Sequence, residues 1–112
     1  MHPPVYLAFT TCSSRDDAER LGKRLVEERL AACATVVPGA VSLYRWKGEM
    51  EHADEAMLLL KTTGPALAGL EERLIELHPY ESPEFIAVLA ESVSETYGTW
   101  VAESVEAPIL PA

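Results

Sequence analysis

A few side chains in this sequence could do chemistry, and each also has an ordinary structural use. His78 stands in the run Leu77-His78-Pro79-Tyr80. Imidazole suits copper, zinc and nickel, and the neighbouring Pro79-Tyr80 pair would stiffen the backbone that presents it. A histidine at a helix end equally caps terminal carbonyls or stacks in an interface, so both uses stand open. Cys12 closes an apolar run and is the second candidate ligand for a transition metal. Cys33, in Ala31-Ala32-Cys33-Ala34, reads instead as a small core hydrophobe, inert as thiols in apolar surroundings are. His52 sits among Glu49, Glu51, Asp54 and Glu55, a set that either holds a hard or borderline cation loosely or makes a solvated turn.

Other chemistry is harder to find. There is no Gly-rich phosphate loop, no nucleophile elbow and no HExxH or CxxC spacing. His78 and Glu84 could form an acid/base pair, but such pairs are commonly structural, and the expectation is a protein that is not an enzyme. No cofactor is required, and copper or another divalent cation is the inorganic partner to test. Eighteen acidic against nine basic side chains give a net charge of −9, which repels nucleic acid and anionic membrane surfaces. The same excess attracts cations, or merely keeps a small protein soluble. No stretch approaches the ~20 apolar residues of a membrane span, and the start MHPPVYL has no basic-then-apolar leader. The expectation is a cytoplasmic protein with both cysteines reduced.

The elements that must position these residues follow from periodicity. A length of 112 residues suits one domain, 1–112, with loosely ordered tails at 1–4 and 107–112. Val5 to Cys12 is a short apolar, strand-forming run that ends at Ser13-Ser14, either of which can cap a helix carrying Ala18, Leu21 and Leu25 on one face. A strand from Ala32, broken at Pro38-Gly39, and a second from Glu49 to Thr62, polar at first and then apolar, make a long hairpin turning at Lys47-Gly48. Pro65 opens a helix with Leu67, Leu70, Leu74 and Leu77 at helical spacing. Phe85 to Ala90 reads as a strand, and Ser94-Glu95 opens a terminal helix.

Strand, helix, strand, strand, helix, strand is the split βαβ order of an α+β, ferredoxin-like sandwich, with two helices on one face of an antiparallel sheet. Val5–Cys12, Met57–Leu60 and Phe85–Ala90 are read as central strands, because their apolar runs are continuous where a sheet with one wet face should alternate. Either self-association or the terminal helix must cover the second face, and self-association into a homo-oligomer is the expectation.

Three segments are more specific. ERLAACATVVPGAVSLYRWKGE (Glu28 to Glu49), Glu55 followed by LLLKT to Thr62, and LHPYESPE (Leu77 to Glu84) resemble, in order and spacing, the motifs of the CutA divalent-cation tolerance family. The resemblance extends from about Val5 to Val105. It implies a ferredoxin-like homotrimer whose hairpins pair with neighbouring subunits, and a link to divalent-metal tolerance and copper binding. Some relatives place a cysteine where this chain has Thr10 and a histidine where it has Leu77, departures that count against a copper site built in the same way. Cys12, on the strand face of Thr10, could substitute. The resemblance would also bring Trp46, Lys61, His78, Tyr80 and Glu84 around a groove between subunits. These residues make either a pocket for a small anionic ligand, as in a PII-like signalling or adaptor trimer, or an ion pair between Lys61 and Glu84 with aromatics locking the assembly.

Overall fold

A computed structural model describes residues 1–105, so the expected loose tail at 107–112 lies outside the described residues. Strand β1 (Val5–Cys12) alternates between its two faces: Ala8, Thr10 and Cys12 are fully buried, while Leu7, Phe9 and Thr11 are half-buried on the other side. Helix α1 (Arg15–Glu27) begins at Ser14, whose hydroxyl accepts the Asp17 N–H at 3.1 Å, with Asp16 and Asp17 in the positively polarised first turn. Its buried stripe is Ala18, Leu21, Gly22 and Leu25. Gly22 lets the helix approach the sheet, because a Cβ there would stand 2.9 Å from the Ala34 Cβ and 3.0 Å from Leu58 Cδ1.

Strands β2 (Cys33–Trp46) and β3 (Glu49–Thr63) form the long hairpin. Pro38-Gly39 shifts the register between Val37 and Ala40, and Lys47-Gly48 turns the chain with positive φ at both residues. Helix α2 (Gly64–Leu77) carries Pro65 in its first turn and buries Ala66, Leu70 and Leu74. Strand β4 (Ile86–Leu89) and helix α3 (Glu95–Ser104) complete the described chain.

The four strands are antiparallel in the order β2-β3-β1-β4. Leu25, Leu58, Leu60, Leu70 and Leu74 seal the space between the sheet and α1 and α2. The reading of Phe85–Ala90 as a central strand needs correction. Among the described residues strand β4 pairs only with β1, is four residues long, and leaves Ile86 and Val88 about half exposed. Its apolar content reflects an uncovered surface, not a central place.

That surface is the sheet face opposite α1 and α2. Register puts Phe9 beside Leu59 and Ile86, Leu7 beside Val88, and Val37 beside Met57, all on this one face. Helix α3 covers only one end, where Val101 packs with Val5, Ala32 and Ala66. Residues 1–4, expected as a loose tail, are held at both ends of the segment: the Met1 amine pairs with Glu95 and the His2 ring sits where a side chain on Gly98 would otherwise be, while the Pro4 carbonyl accepts the Gly64 N–H at 2.9 Å.

Candidate functional site

His78 ends α2, and its backbone N–H reaches the Leu74 carbonyl at 2.9 Å. Its buried ring is fully engaged. Nδ1 accepts the Tyr80 N–H at 3.1 Å, which assigns the proton to Nε2, and Nε2 donates to the Thr11 carbonyl at 2.8 Å. The ring therefore staples the His-Pro-Tyr turn to the end of β1. Cys12 Sγ lies 3.8 Å from the same Nε2. Burial, reinforced by the negative charges of Asp17 and Glu55, pushes the Cys12 thiol up to about 11, so it is protonated at neutral pH.

Two further positions bear on a metal. Thr10, on the same buried face as Cys12, has an Oγ1 with no hydrogen-bond partner among the described residues. Leu77 packs half-buried against the core cluster and offers no donor. Metal–N bonds of ~2.1 Å and metal–S bonds of ~2.3 Å at a tetrahedral angle put their donors roughly 3.6 Å apart. The observed Cys12–His78 separation fits such a pair of donors. Among the described residues no three His, Cys, Asp or Glu side chains stand close enough to hold a metal ion, so the donor set suits weak two-donor binding and not a closed site. His52 and its acidic neighbours lie along the exposed hairpin and do not converge.

Below the His78–Glu84 loop lies a cleft of about 510 Å³, lined by Thr11, Ser42, Tyr44, Trp46, Glu55, Tyr80 and Glu84 among others. The Tyr80 hydroxyl donates to Glu55 Oε2 at 2.6 Å, and the Tyr80 ring stacks at a tilt on His78, with centroids 4.7 Å apart. Burial alone would raise Glu55, but hydrogen bonds from Ser42, Tyr80 and Thr11 outweigh it and hold the carboxyl below the usual range. The structure thus brings Trp46, Tyr80 and Glu84 together within one chain. Lys61 is elsewhere, six positions along β3 from Glu55, a strand rise of roughly 20 Å. Its ammonium donates to Thr35 Oγ1 at 2.7 Å with Cys33 Sγ at 3.7 Å, so no Lys61–Glu84 pair forms within the chain.

Cys33 also needs correction. It begins β2 on the face turned away from α1 and α2, paired with Lys61, and is half-exposed, not in the core. Both cysteines are free, and they point to opposite faces of the sheet. Thr11, Ser42, Tyr44 and Glu55 were not singled out for the cleft from sequence. The available signal was alternation, which puts Glu55 and Thr11 on the face opposite the buried Ala56 and Cys12.

Fold and site together define a small α+β protein: an antiparallel sheet with α1 and α2 on one face, a long hairpin, and a histidine-stapled loop overhanging an acidic, aromatic cleft. Its sequence matches, over residues 6–104, the pattern of the family described as "CutA1 divalent ion tolerance protein". The chain belongs to that family. It is 45% identical over 98 residues to the "Divalent-cation tolerance protein CutA" of Thermus thermophilus, spanning 88% of this chain and 95% of the relative. It is 36% identical over 102 residues to "Protein CutA" of Mus musculus, spanning 91% of this chain but only 58% of the mouse protein's length. The crystal structure of CutA from Xylella fastidiosa superposes with a TM-score of 0.88 at 45% identity, covering 91% of this chain and 98% of that one.

Proposed function

We propose that the protein serves divalent-cation tolerance as a non-enzymatic, ferredoxin-like homotrimer of the cytoplasm that binds copper or a similar transition metal weakly through His78, with Cys12 as a secondary ligand. The observation that carries this reading is the buried N/S contact of 3.8 Å between the two side chains. The printed names of the family and its relatives support the tolerance role. The uncovered apolar face of the sheet supports self-association, and two free thiols suit a reducing compartment. Binding requires the ring proton to move from Nε2 to Nδ1, breaking the bonds to Thr11 and Tyr80, and Cys12 to ionise or stand aside. These demands keep the affinity low, and where the Cys12 thiol loses its proton on binding the metal, binding weakens as pH falls.

Calorimetric titration of metal-stripped protein with copper and zinc tests the site. Micromolar or weaker binding that disappears in His78→Ala is the expected result, and a variant binding copper as tightly as the parent removes His78. The cleft supports a second reading, a PII-like sensor of a small anion, which needs Lys61 supplied by a neighbouring chain. A nucleotide panel in the same titration separates the two.

A further inference from the structure

We propose that the cleft beneath the His78–Glu84 loop takes an organic ammonium ion: a protonated aliphatic amine whose N–H groups meet carboxylates while its stem lies on aromatic walls. This goes beyond metal binding and uses different residues. Glu55, Glu81 and Glu84 all line the cleft, and among the described residues no lysine, arginine or histidine does. An anion entering the chain's own cleft would therefore meet three carboxylates, opposed by the Lys47 ammonium beside the Trp46 ring. Hydroxyls of Ser42, Ser82 and Thr11 add acceptors, and Tyr44, Trp46 and Tyr80 supply π faces, which attract cations.

A bare divalent ion fits less well. It needs donors converging at bonding distance, and among the described residues no such group of three exists. An ammonium on a carbon stem needs only diffuse negative potential, scattered acceptors and an apolar wall, and a volume near 510 Å³ accommodates it. The chain already shows the contact in miniature: the Lys47 ammonium stands 5.6 Å from the centre of the Trp46 ring. Lys47 therefore competes with an incoming amine for that ring. Removing it should tighten amine binding, whereas it would weaken binding of an anion.

The test titrates the full-length protein, in chelator and physiological salt, with 1,5-diaminopentane and with 1,5-pentanediol, its neutral counterpart. The two indole N–H signals of Trp46 and Trp100 are followed by NMR, with Trp46→Phe assigning them. We expect the diamine to shift the Trp46 signal saturably, with the diol about tenfold weaker or worse. Glu84→Gln should weaken the diamine several-fold, Lys47→Ala should strengthen it, and Glu72→Gln on exposed α2 should leave it unchanged. A diol that binds as well as the diamine overturns the proposal. So does a Trp46 signal that the diamine never moves, one that citrate moves more tightly, or a Glu72→Gln effect equal to that of Glu84→Gln. Because chelator removes metal throughout, failure here leaves the copper titration to stand or fall by itself.

Discussion

Side chains that the sequence marks as chemically able do different work according to what faces them. The sequence reads Cys12 as a candidate ligand and Cys33 as an inert core residue, yet Cys12 is fully buried with its thiol pushed up to about 11 and Cys33 is half-exposed beside an ammonium. Native protein treated with iodoacetamide at neutral pH should therefore carry one label, on Cys33, and mass spectrometry of the digest checks this. Tyr80→Phe removes the hydroxyl that donates to Glu55. The group is only partly buried, so a loss of about 1 kcal/mol is expected in denaturant melts at pH 7. Glu55 has a folded pKa below its unfolded value, so its contribution is present above about pH 4.5 and is lost as pH falls through the folded value. The gap between parent and Tyr80→Phe should accordingly close in acid, and a gap that persists at pH 2 would place the effect in packing. His78 was legible as a residue with two possible uses. Its partners were not, because the Thr11 carbonyl lies 67 positions away and a carbonyl leaves no mark in a sequence.

Elements were easier to read than their neighbours. The capped start of α1, the long hairpin with its break at Pro38 and Pro65 in α2 follow from local rules of capping and turns, and the structure shows each. Strand order is not local. An apolar run such as Ile86–Leu89 marks surface to be covered without saying by what, so an edge was read as a centre. Close approach is equally silent: Gly22 looks like a weak spot in a helix, but it is the point where α1 meets Ala34 and Leu58. Alanine there gains up to about 1 kcal/mol of helix propensity and meets a backbone-fixed Cβ 2.9 Å away, which cannot swing aside. Gly22→Leu has no such offset. It should push α1 off the sheet and cost about 1–3 kcal/mol in denaturant melts. A variant as stable as the parent would show that α1 can ride outward freely.

At the scale of the molecule, the unsolved surface is the sheet face carrying Leu7, Phe9, Met57 and Leu59, with Ile86 and Val88 at its edge. Within one chain α3 covers only the end near Val5. Two forces then oppose one another when copies meet. Each chain carries −9, so protomers repel, but that repulsion acts through water and is screened beyond about 8 Å at physiological salt. Burial of the apolar face is not screened, and at ~25 cal/mol per Å² a few hundred Å² per chain outweighs it. Association should thus tighten with added sodium chloride, the reverse of an assembly held by ion pairs. Leu59→Glu puts a charge in the middle of the face, beside Phe9 on one strand and Thr35 on the other. Burying that carboxylate without a partner is costly enough to split the assembly. Light scattering should give a trimer mass for the parent, insensitive to or strengthened by salt, and a monomer mass for Leu59→Glu with its helical and strand signal intact. A parent that runs as a monomer at micromolar concentration would mean that this face is covered by something other than a second copy.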